Sequence, residues 1–181
     1  MNEIKKHVAN FVTILRVLLC ALSALMIFEK NWLGIALLPI VFILDLVDGY
    51  AARNLGSKEY GIRIDVAGDR IVEYLYYFLY SILGLFPYFI LPIIFIRNSF
   101  VDALFYTKER NFSTAKTAAA RIFSSSKISR GLFGISKFAL FFYFAFVFMY
   151  NAPLMPGYFL LALVVGFSVI RGISDIYEVI K

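Results

Sequence analysis

Four aspartates between positions 45 and 69 are the residues of this sequence best suited to chemistry. Asp45 and Asp48 are three apart, and Asp65 and Asp69 are four apart, spacings that put each pair on one face of a helix. Their neighbours are apolar: Phe42-Ile43-Leu44 runs into Asp45, and Ile64 and Val66 flank Asp65. A carboxylate in hydrocarbon costs at least about 2.5–3.5 kcal/mol, so each acid needs a partner, an ion or water. Oxygen ligands with no His or Cys beside them suit a hard divalent cation, Mg²⁺ or Mn²⁺. Four carboxylates can hold two such ions, a clamp fitted to displacement at phosphorus. The competing reading is structural, with the acids paired to Arg53, Arg63 and Arg70.

The residues around the acids extend the chemical reading. Gly49 and Ala52 follow the first pair, where a bulky side chain would block a planar ligand, and Arg53 carries a fork that matches phosphate. Gly61 precedes Asp65 by one turn and lets another group approach the start of that helix. A lone Gly or Ala in a membrane helix ordinarily serves packing, so only their place in the array singles these out.

The elements that carry the array are hydrophobic. Of 181 residues, 61% are hydrophobic, 18% aromatic and 17% charged, against about 45–50% apolar and about 25% charged in a soluble domain. The single cysteine, Cys20, excludes a disulfide framework. Apolar runs at 8–28, 32–53, 64–85, 86–106, 132–150 and 154–177 are each long enough to span a bilayer. Polar turns at 29–31, 86–87 and 151–157 separate them, with longer connections at 54–63 and 107–131. Lys5, Lys6, Arg53, Lys58, Arg63, the bases from Lys108 to Arg130 and Lys181 all fall on one side of that plan. Lys30 alone falls on the other. The asymmetry places both termini and both long connections in the cytoplasm. The expected fold is therefore an all-α integral membrane bundle of six transmembrane helices, one domain over 1–181, in the cell membrane. The net charge of +6 is read as cytoplasmic loops against anionic lipid, not as nucleic-acid binding. The first run resembles a signal peptide in its flanks, yet Arg16 interrupts it and it is long enough to span, so a retained helix is expected. Residues 111–122 read equally as a surface helix or a solvated linker.

The string Asp45-x2-Asp48-Gly49-x2-Ala52-Arg53-x7-Gly61-x3-Asp65-x3-Asp69 resembles the signature of the CDP-alcohol phosphatidyltransferases, membrane enzymes of phospholipid synthesis. The family's usual string has eight residues between the Arg and the second Gly, where this chain has seven. Asn10, Thr13 and Arg16 resemble the polar stripe of the family's first helix. The resemblance implies that Asp45, Asp48, Asp65 and Asp69 bind metal, and that Asp69 also acts as general base. It implies that Gly49, Ala52, Arg53, Gly61 and Thr13 serve the cytidine diphosphate end of a CDP-linked lipid. It implies a homodimer as well. An acceptor hydroxyl would then attack the lipid-linked phosphorus at the cytoplasmic face, and CMP would leave.

Beyond the signature, Arg97, Lys127, Arg130, Lys137 and Arg171 lie within or beside the later spans. They exceed Asp102 and Asp175, the acids available to pair with them, and arginine and lysine suit phosphate. An acceptor with its own phosphate, inositol phosphate or glycerol phosphate, is expected over free inositol or serine; snorkelling to lipid headgroups is the alternative. The segment Ser129-Arg130-Gly131-Leu132-Phe133 resembles the Ser-Arg segment of inositol-using members. A different class remains in view, a small ion-coupled transporter or channel. Against it, the chain has no internal repeat, and its acids are grouped near one surface. A non-catalytic scaffold gives no reason for four aligned aspartates.

Overall fold

The computed structural model describes residues 2–55, 59–106 and 126–180, with side chains described for 10–45, 47, 63–104, 126 and 128–178. Among them are six helices and no strand: α1 (Asn2–Phe28), α2 (Trp32–Leu55), α3 (Glu59–Ile82), α4 (Ile90–Tyr106), α5 (Lys127–Tyr150) and α6 (Leu154–Ile180). Three carry stretches long and apolar enough to cross a membrane, at Asn10–Phe28, Ile128–Tyr150 and Leu154–Glu178, and α2 adds a shorter apolar stretch at Trp32–Asp45. Residues 111–122 lie outside the described residues.

The turns explain where the helices end. At the end of α1, Asn31 N–H donates to Met26 O at 2.8 Å and Lys30 N–H to Ile27 O at 2.9 Å. That bond pair is a Schellman closure with Lys30 in the left-handed region, φ 57°. Asn31 then starts α2, its Oδ1 accepting from Leu33 N–H at 3.0 Å. The same closure ends α3, where Leu85 N–H reaches Tyr80 O at 2.9 Å. There Gly84 takes the positive φ of 70° that a residue without Cβ adopts freely. The chain turns through Pro87-Tyr88-Phe89 before α4 begins at Ile90, so α4 starts later than the apolar run at 86–106 suggests. At α5, Ser126 accepts from Ser129 N–H and Arg130 N–H and starts the helix upstream of the expected residue 132.

The chain forms two compact units, one of residues 1–86 with 148–151, the other of 87–147 with 152–181. In the first, α1 packs along both α2 and α3, which touch each other far less. Among the described residues α1 is thus the element to which both dock. Its buried face is polar, carrying Thr13, Arg16, Cys20 and Ser23, while Phe11, Leu18 and Leu25 are exposed. A helix with apolar residues outward and polar ones inward fits a lipid surround. Ser23 Oγ–H donates to Gly34 O at 2.8 Å, and Tyr76 Oη–H donates to Ser23 Oγ at 3.1 Å, so one hydroxyl ties α1 to both neighbours. Tyr76, Tyr77 and Tyr80 are fully buried and serve packing, whereas Trp32 and Tyr88 are exposed.

In the second unit α4 lies against α6. A Cβ on Gly172 would stand 2.7 Å from Arg97 Cγ, so only glycine lets that side chain lie across α6. Between α5 and α6, Tyr143 Oη–H donates to Pro153 O at 2.7 Å, and Phe133 meets Phe167 with ring centres 5.5 Å apart.

Candidate active site

The acids of α2 and α3 converge on α1. Arg16 is buried to 1% exposure; its Nη1 is hydrogen-bonded to Asp45 Oδ1, and its Nη2 lies 2.6 Å from Asp69 Oδ1 and 3.8 Å from Asp65 Oδ1. The three carboxylates are themselves 48%, 36% and 49% exposed, in the order Asp45, Asp65 and Asp69. The guanidinium is thus sealed on the protein side while the acids open outward. Asp69 bonds to Arg16 through Oδ1.

Gly68 gives the arginine its room. A Cβ there would overlap Thr13 Cγ2 and approach Arg16 Nη2 to 3.1 Å. Thr13 is itself buried, packed where α1 and α3 come closest. One turn beyond Asp69, buried Glu73 takes Arg70 Nη1 at 3.5 Å.

Of the expected site residues, Asp45, Asp65, Asp69 and Thr13 are brought together. Asp48, Gly49, Ala52 and Arg53 lie on α2 and Gly61 on α3, with their side chains outside the described residues. Besides the pairing foreseen with Arg53, Arg63 and Arg70, the acids meet Arg16, which was not foreseen; Arg70 lies 3.5 Å from Glu73, and the Arg53 side chain is outside the described residues. A charge inside an apolar run was the available signal, because a buried arginine demands acids. Gly68 carries no signal of its own, since a single glycine in a helix has many uses.

The expected acceptor residues fall on the second unit. Arg97 Nε–H donates to Ser168 O at 3.0 Å and Nη1–H to Asn98 Oδ1 at 2.7 Å, and Nη2 stands 3.9 Å from Asp175 Oδ2. Lys137 Nζ and the Arg171 guanidinium both sit over the Phe133 ring, at 4.8 Å and 5.0 Å from its centre. Arg130 is exposed on the same face of α5, three residues before Phe133. The side chain of Lys127 lies outside the described residues.

Three helices long and apolar enough to cross a membrane mark an integral membrane protein, and its first unit carries a half-open group of acids. The chain belongs to the CDP-alcohol phosphatidyltransferase family, whose model matches residues 6–170. It is accordingly a transferase of phospholipid biosynthesis, passing a phosphatidyl group from a CDP-alcohol to an acceptor. No curated protein matches the sequence.

Whether the acids suit a divalent cation is a question of donor type. Three carboxylates face the Arg16 guanidinium. All the donors are oxygen, as Mg²⁺ and Mn²⁺ prefer. Among the described residues no three acids already gather around a common point; Arg16 stands among them. The donor set therefore fits by its chemistry.

Proposed function

We propose that Asp45, Asp48, Asp65 and Asp69 bind the diphosphate end of a CDP-linked lipid through one or two Mg²⁺ or Mn²⁺ ions, and that Asp69 is the general base. When bound, the ions supply charge stabilisation for the diphosphate and for departing CMP. Asp69 Oδ2 takes the proton of the acceptor hydroxyl as the new O–P bond forms and the bond to CMP breaks. Arg53, Gly49, Ala52 and Gly61 border the nucleotide, and Thr13 packs behind the aspartates. The observation that carries the reading is the convergence of half-exposed Asp45, Asp65 and Asp69 on one buried arginine.

The acceptor in this reading carries a phosphate, as inositol phosphate or glycerol phosphate do. Its support is the gathering of Lys137 and Arg171 on Phe133, with Arg130 on the same face of α5. Lys127 completes the proposed set, whereas Arg97, tied to Ser168 O, Asn98 Oδ1 and Asp175, serves the α4–α6 contact. Six spans, cytoplasmic termini, a site facing the cytoplasm, a single domain over both units and a homodimer belong to the same reading. The family match running across both units supports the single domain.

The test is purified protein with CDP-diacylglycerol or its dialkyl analogue, Mn²⁺ and a panel of acceptors, with CMP release followed. Release with inositol phosphate or glycerol phosphate and not with inositol or serine is the expected result. Preference for an uncharged alcohol removes the phosphate pocket but keeps the transferase. Cysteines at Lys30 and Ser126 should label from opposite sides of the membrane, and labelling from one side overturns the topology.

A further inference from the structure

Arg16 is the one cation of α1 whose side chain is described, and both its terminal nitrogens engage acids of other helices. Its Nε is buried with no hydrogen-bond partner. Buried donors are nearly always satisfied, so an orphan Nε–H marks a group whose position is dictated by the carboxylates at its far end. Gly68 keeps the slot open, since a Cβ there would stand 3.1 Å from Nη2. A guanidinium presents its donors in a rigid planar fork, whereas a lysine ammonium is a point charge on a flexible stem. The same fixed charge partly neutralises the acids and so opposes any mobile cation drawn to them.

We propose that Arg16 is the positioning residue of the aspartate array: a built-in cation that fixes Asp45, Asp65 and Asp69 across α1, α2 and α3 and sets how tightly the array holds a divalent ion. It acts through the aspartates and is not itself a catalytic residue. The inference rests on the metal-dependent reading of the aspartate site.

The experiment measures Mn²⁺ binding to full-length protein in detergent by electron paramagnetic resonance, without substrate, beside steady-state kinetics. Arg16→Gln removes a unit charge a few ångströms from the ion, which even at the dielectric of water corresponds to about tenfold tighter binding. Its kcat should fall about 100-fold as Asp69 loses its orientation, with the KM for the CDP-lipid changing less than about threefold. Arg16→Lys keeps the charge, so its Mn²⁺ affinity stays near wild type while kcat still falls, because a flexible ammonium does not fix Asp45 and Asp69 at the spacing that the rigid guanidinium fork imposes. Loss of helix packing alone would weaken Mn²⁺ binding in both variants. Wild-type or weaker Mn²⁺ binding by Arg16→Gln that remains monodisperse overturns the inference and leaves the transferase standing. Should Arg16→Gln not fold, wild-type kcat in Arg16→Lys overturns it equally. Absence of Mn²⁺ binding by the wild type defeats the metal reading itself, and this inference with it.

Discussion

Each unit holds an arginine largely away from solvent, Arg16 at 1% and Arg97 at 12% exposure, and the two are used differently. Arg16 is sealed among α1, α2 and α3, but the acids it holds are about half exposed. Arg97 holds a backbone carbonyl, Asn98 and Asp175, and both of those side chains are buried. The first arrangement leaves carboxylate oxygens able to meet a ligand. The second consumes the arginine's donors in joining α4 to α6. Burial of the base does not distinguish a site from a clamp; exposure of its partners does.

Breaking the exposed side of the Arg16 cluster should have the largest effect. Asp69→Asn should lower transfer by about 10²–10⁴-fold, because an amide cannot accept the proton. Thermal unfolding in detergent should stay close to wild type, since Arg16 keeps Asp45. Full activity of Asp69→Asn across the normal pH range would make Asp69 no different from a structural acid.

On the clamp side the expected loss is of stability. Asp175→Ala strands part of a largely buried guanidinium and should cost about 1–3 kcal/mol, read as a lower unfolding midpoint. An unchanged midpoint would mean that Asp175 contributes nothing to the α4–α6 contact.

Gly68 sharpens the comparison by size alone. Gly68→Ala drives a methyl into Thr13 and toward Arg16, and overpacking of this kind costs about 1–3 kcal/mol. Thr13→Ser removes the Cγ2 that the new methyl meets, so the double variant should recover part of the lost stability and activity. Gly166→Ala meets nothing within 4 Å and should be neutral. Recovery absent from the double variant would show that Thr13 is not the obstacle.

The smallest effect belongs to Lys30. A non-glycine residue in the left-handed region costs about 1–2 kcal/mol, so Lys30→Gly relieves strain, offset by the greater freedom of glycine in the unfolded chain. A rise in the unfolding midpoint of a few degrees or less is expected. A fall would assign more weight to the Lys30 contact with the Phe148 ring, where Nζ lies 5.0 Å from the centre.

Hydrophobic runs made six helices legible because each is an apolar segment punctuated by polar or proline-containing turns. Helix ends were less so. Hydrogen bonding continues past the point where apolarity stops, which is why α1 reaches back to Asn2 and α3 to Glu59. Asp45, Asp65 and Asp69 were legible as a group, since spacing and the expense of buried charge act locally along the chain. Their joint partner was not. Arg16 lies 29 residues from Asp45 and 53 from Asp69, and nothing in a local pattern chooses it over Arg63 or Arg70, which are nearer in sequence. That choice depends on α1 docking against both other helices, a tertiary fact.

The same separation sets a timetable for synthesis. When α1 first enters the bilayer, Arg16 has no acid to meet, and a lone arginine within a span costs about 2.5–3.5 kcal/mol in insertion measurements. Relief comes with Asp45 and is completed by Asp69, after α2 and nearly half of α3 have been made. The first helix is therefore a provisional resident of the membrane, secured retroactively by the two helices made after it. Nascent chains stopped before α3 should lose α1 to the aqueous side more often than longer ones, and Arg16→Leu should abolish that difference.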